Sequence, residues 1–142
     1  MHPEPPLVGQ TRDVGFEIGA RRTLPLAPDA AWRLLLSPAG LACWLGAGAA
    51  LPLTPGTRYA LADGAIGEVR VYQPGSHLRL TWQPPGWVRP STVQVRVLPS
   101  GERTTIAFHQ EHLPDAAARA ARSAYYSAAL DGLERLIEET TP

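Results

Sequence analysis

Apolar and polar residues alternate between short turn signals from Arg58 to Gln110, and one long uninterrupted helical pattern follows. An earlier alternating stretch places Val14, Phe16, Ile18, Ala20 and Leu24 on one face, with Glu17, Arg21 and Thr23 on the other. Arg22 falls on the apolar face of that strand. Pro28 and Asp29 open a short helix whose stripe is Trp32, Leu35 and Leu36, because Pro suits the first turn and a carboxylate there complements the dipole. Ser37 and Pro38 start a second helix through Trp44, which Gly46 stops. Asp63-Gly64, Pro74-Gly75 and Pro99 with Gly101 mark turns. They separate strands Glu68 to Gln73, His77 to Gln83, Ser91 to Leu98 and Arg103 to Gln110. Their expected inward faces are Val69 and Val71; Leu78, Leu80 and Trp82; Val93, Val95 and Val97; Ile106 and Phe108.

The final helix, roughly 25 residues and about 37 Å long, repeats Tyr126, Leu130, Leu133 and Ile137 at i, i+4, i+7 and i+11. That stripe must be buried, and the sheet is the only partner large enough. The first half of the helix is rich in Ala, so a cavity is expected between it and the sheet. The pattern predicts an α+β chain with a loose arm over residues 1–12 and a single domain over 13–142.

Composition narrows the function classes. Thirteen basic residues, all Arg, balance thirteen acidic ones, which leaves no electrostatic footprint for nucleic acid or an anionic membrane surface. No apolar run reaches the ~20 residues that span a bilayer, and the N-terminus lacks a secretion signal, so a cytoplasmic location is expected. Cys43 is the single cysteine, and it reads as a small hydrophobe rather than a nucleophile. Neither a Walker loop nor a dinucleotide loop is present, and no cofactor is expected.

The pieces APDAAWRLLLSPAGLACWLG (Ala27 to Gly46), GEVRVYQPGSHLRLTWQPPGW (Gly67 to Trp87), STVQVRVLPSGERTTIAFHQEHLP (Ser91 to Pro114) and YYSAALDGLERL (Tyr125 to Leu136) carry a family resemblance in their order and spacing. Together they resemble the helix-grip fold of the SRPBCC, or START-like, superfamily, in the branch named after the heat-shock-protein ATPase activator. The resemblance implies a curved six- to seven-stranded antiparallel sheet around a long C-terminal helix. It also implies an apolar cavity that binds ligands more often than it catalyses. At Tyr125-Tyr126 the sequence departs from the Gly-Trp usual in the branch. The eukaryotic activator has a separate N-terminal domain with no counterpart here, so chaperone activation is not expected.

The expected ligand is an apolar or amphipathic small molecule, lined by Trp44, Trp82, Val95, Phe108, Tyr125, Tyr126 and Leu130, with Trp87 in the PPGW loop as a lid. Arg22, through its bidentate fork, and His109 are the candidate polar contacts. His109, Glu111 and His112 have metal-binding side chains, but a strand end does not present i and i+3 imidazoles together, and no metal is expected. An aromatase- or cyclase-like enzyme is the main alternative, needing His109 or a tyrosine as acid–base group. A module that interacts with a chaperone or another partner protein is the third, opposed by the outward Arg70, Arg79, Gln94 and Arg96. A homodimer is left open.

Overall fold

The computed structural model describes residues 10–11 and 15–140, so Val14 and most of the expected N-terminal arm lie outside the described residues. The chain runs β1 (Gln10–Thr11), β2 (Gly15–Leu24), α1 (Pro28–Leu36), α2 (Pro38–Trp44), β3 (Arg58–Ala60), β4 (Ile66–Gln73), β5 (His77–Trp82), β6 (Ser91–Ser100), β7 (Arg103–Leu113) and α3 (Ala116–Thr140). Gln10 and Thr11, placed in the arm by the sequence pattern, pair with Phe16 and Gly15 of β2.

The seven described strands form one antiparallel sheet in the order β1-β2-β7-β6-β5-β4-β3. Alternation decides its two faces. Phe16, Ile18 and Leu24 of β2 are buried, as are Val93, Val95 and Val97 of β6 and Ile106, Phe108 and Gln110 of β7. The helix stripe arrives on that face, with Tyr126, Ala129, Leu130 and Leu133 buried along α3. Removing side chains such as Leu130 and Leu133 from water stabilises the fold by about 2 kcal/mol each. This is the expected α+β helix-grip architecture.

Two bulges displace the alternation. Val69 pairs with Leu80 but Val71 with Arg79, so β4 holds an extra residue at Arg70. Val71 therefore shares the outer face with Arg79, and Tyr72 turns inward to stack on Trp32 with centroids 6.1 Å apart. The expected inward position of Val71 is corrected accordingly. In β7, Phe16 pairs with Leu113 and Ile18 with Gln110, so the extra residue lies at Glu111–His112. His112 takes φ 65°, an uncommon conformation for a side-chain-bearing residue.

Helix ends follow their caps. Ser37 closes α1 and opens α2 at once: its hydroxyl donates to the Leu34 carbonyl at 2.7 Å and accepts from the Gly40 amide at 3.0 Å. Asp115 caps α3 by accepting from the Ala118 amide at 2.7 Å. Glu111 lies in β7, ahead of that helix start. No described helix is long and apolar enough to cross a membrane.

Candidate functional site

The residues expected to line a cavity divide into two groups. Trp44, Val95, Phe108, Tyr126 and Leu130 are buried. Phe108 stacks on Tyr126 with centroids 5.0 Å apart and meets Trp44 at 5.9 Å. The Trp44 indole donates to the Leu35 carbonyl at 2.9 Å. These rings pack against one another where open space was expected. The second group, Trp82, Trp87 and Tyr125, is half-buried at the seam between α3 and the sheet. Trp82 and Trp87 meet edge to face at 5.3 Å.

The expected alanine ceiling also differs in kind. Along the first half of α3, Ala116, Ala117, Ala120, Ala121 and Ala124 are exposed. The stripe that ends in Tyr126 runs back four residues to Arg122, whose guanidinium carbon lies 4.1 Å from the Trp82 ring, 4.2 Å from Tyr125 and 4.9 Å from Tyr126. A long side chain thus occupies space that an inward alanine would have left empty.

Arg122 heads a buried polar relay. Its Nε donates to Gln110 Oε1 at 2.8 Å and its Nη2 to Tyr126 Oη at 3.2 Å. Tyr126 Oη donates to the same Gln110 oxygen at 2.8 Å. Gln110 Nε2 donates to Ser91 Oγ at 2.7 Å, and Ser91 Oγ donates to the Trp82 carbonyl at 2.7 Å. Gln110 and Ser91 are fully buried, so the burial of their polar groups is tolerable only because each is partnered. Tyr59, buried over Gly67, donates to the Thr81 carbonyl nearby.

Burial pushes the phenols of Tyr59, Tyr125 and Tyr126 above the ordinary tyrosine value, and Arg122 pulls each partly back. The sign of the linked stability follows. An unfolded tyrosine loses its proton near pH 10 while these folded ones keep theirs, so their contribution is complete below about pH 10 and falls as pH rises beyond it. Denaturant midpoints measured between pH 8 and 11 should be level at first and then decline, and Tyr126→Phe should reduce the decline. Cys43 is also shifted up, first by burial and against the pull of Arg135, the reverse of an activated thiolate.

The two expected polar contacts lie elsewhere. Arg22 does face α3, but its Nη1 binds Asp131 at 2.7 Å and Glu134 at 3.6 Å, so the chain's own carboxylates take the fork. His109 alternates with Phe108 and Gln110 and therefore lies on the outer face, with its Nε2 at 3.5 Å from Glu17. Among the described residues, Glu17, His109 and Glu111 have donor atoms within 4.8 Å of one another and are of the types that bind a divalent cation. His112 takes no part, because the bulge breaks the strand geometry just before it. Sequence reasoning missed Gln110, Arg122, Ser91 and Tyr59. The signals were positional: Gln110 continues the inward series Ile106, Phe108, and Arg122 precedes Tyr126 by one helical turn.

Comparison with known proteins agrees with this architecture. Residues 25–138 match the family model described as activator of Hsp90 ATPase homolog 1-like protein. No curated protein matches the sequence. Among solved structures, the chain is similar to protein MLL2253 from Mesorhizobium loti, with 21% identity, 89% of this chain and 99% of that chain covered, and a TM-score of 0.72. CalU16 from Micromonospora echinospora shares 21% identity over 85% of this chain and 75% of its own, with a TM-score of 0.75. An HSP90 activator from Plasmodium falciparum shares 15% identity over 86% of this chain and 96% of its own, with a TM-score of 0.71. At these identities the structural likeness is one of fold.

Proposed function

Because the chain belongs to the activator of Hsp90 ATPase homolog 1-like family, on the helix-grip scaffold of the SRPBCC superfamily, we propose that it binds an apolar or amphipathic small molecule at the seam between α3 and the sheet. The observation that supports this most is the grouping of Trp82, Trp87 and Tyr125, three half-buried aromatic side chains beside a closed core. Large rings left part-exposed together are unfavourable in water and provide an apolar wall for a ligand. Trp44, Val95, Phe108, Tyr126 and Leu130 form the packed floor beneath that wall. The first turns of α3 cover it with few large side chains: Ala118 is part-buried while Ala116, Ala117, Ala120 and Ala121 are exposed, and Arg119 and Arg122 tie these turns to the sheet through the Glu17 carbonyl and Gln110, each at 2.8 Å. Small displacements of those turns would admit an alkyl or aryl body.

Binding is preferred to catalysis on chemical grounds. His109 is on the outer face, and the tyrosines of the seam hold their protons more firmly than free tyrosine does. Such phenols donate hydrogen bonds well but are poor proton acceptors at neutral pH. A partner-protein role would favour an extended apolar surface, whereas the outer face carries Arg70, Arg79 and Arg96.

Native mass spectrometry of protein purified without denaturation should show a retained small molecule, or 1:1 uptake of 1-dodecanol or dodecanoate. Trp82→Ala should weaken that uptake by about tenfold or more, the equivalent of about 1.4 kcal/mol. Absence of both a retained molecule and probe uptake would contradict the proposal.

A further inference from the structure

We propose that the ligand carries an anionic head group, a carboxylate, and that Arg122 receives it; this inference rests on the binding reading above and specifies its ligand. The guanidinium has two edges able to form paired hydrogen bonds. The Nε–Nη2 edge is already engaged, by Gln110 Oε1 at 2.8 Å and Tyr126 Oη at 3.2 Å. The Nη1–Nη2 edge has no carboxylate within ion-pair distance among the described residues, in contrast to Arg33 and Arg70, which have one each, and Arg22, which has two. The Asp63 carboxylate, whose charge acts on Tyr125, accepts from the Ala65 amide at 2.9 Å and makes no ion pair with Arg122.

This charge is also partly removed from water by three rings, at 4.1, 4.2 and 4.9 Å. A cation so placed recovers more from an anion than an exposed arginine does, because the pair interacts through a less polarisable medium. The open edge matches a planar carboxylate bidentately. The orientation is fixed in advance: Ser91 holds Gln110, and Gln110 holds the guanidinium, so little side-chain freedom is lost on binding. The wall formed by Trp82, Trp87 and Tyr125 adjoins the same charge, which provides one place for an apolar body and one for its acid group.

The full chain is titrated with three probes of equal chain length, dodecanoate, 1-dodecanol and dodecylamine, read by tryptophan fluorescence below their micelle concentrations. Dodecanoate should bind about tenfold tighter than 1-dodecanol, with dodecylamine weakest. Arg122→Gln should weaken dodecanoate by about tenfold more than it weakens 1-dodecanol. Equal affinity of the wild-type chain for acid and alcohol would overturn the inference, as would an Arg122→Gln effect equal on both probes, which is the signature of a structural aromatic box. The wild-type comparison requires no variant, so it decides the matter even if Arg122→Gln does not fold. Failure of all three probes to bind would instead defeat the binding reading.

Discussion

Phe108→Ala is expected to destabilise the chain by about 4 kcal/mol, the loss found when a large ring is deleted from a packed interior. Phe108 lies on β7 near the middle of the sheet, 1% exposed, between Tyr126 at 5.0 Å and Trp44 at 5.9 Å. Truncation removes both ring contacts and leaves a void that the strand cannot close, since β7 is bonded to β2 on one side and β6 on the other. For a chain of this size the melting temperature should fall by roughly 10 °C. Urea denaturation followed by far-UV circular dichroism measures the loss directly. A cost below about 2 kcal/mol would mean that the ring lines open space rather than a packed core.

Gly67→Ala is expected to cost about 3 kcal/mol through a different mechanism, overpacking. Gly67 of β4 pairs with Tyr59 of β3, and the Tyr59 ring lies across it to reach the Thr81 carbonyl. An added methyl would fall well inside van der Waals contact of that carbonyl oxygen and of the tyrosine ring. Relief requires moving either β5 backbone or a buried phenol, so the β3 edge of the sheet should loosen. Gly48→Ala is a useful contrast. Its added methyl meets nothing within 4 Å, and only the positive φ of 74° opposes it, so the loss should stay near about 1 kcal/mol. Equal losses at the two positions would show that Tyr59 is not packed against Gly67.

Much of the fold was legible because it is governed by local periodicity. The β5 and β6 alternation, the turns at Asp63-Gly64 and Pro74-Gly75, and the stripe from Tyr126 to Leu133 all reappear in the structure. The inward placement of Val71 and the early end given to the last strand fail at bulges, at Arg70 and at Glu111–His112. A bulge adds one residue through backbone pairing with another strand, so it leaves no periodic trace in its own sequence. The seam was less legible for a related reason. Arg122 and Gln110 sit at inward positions but are polar, and polarity alone reads as solvent exposure. Their burial becomes reasonable only once β7, β6 and α3 are brought together and the relay to Ser91 is complete. Arg22 is the converse: its inward face was readable, but its partners Asp131 and Glu134 are far along the chain.

The four tryptophans provide the most direct test of the seam as the binding site, because each indole N–H gives a separate amide-region signal. The 1H–15N spectrum of the labelled chain should be recorded with and without dodecanoate. The Trp82 and Trp87 indole signals should move with saturation, together with the Tyr125 and Arg122 amides. Trp32 against Tyr72 and Trp44 bonded to the Leu35 carbonyl should stay in place. Shifts confined to the outer face, at Gly19, Gln94 and Ala107, or no shifts at all, would contradict the account.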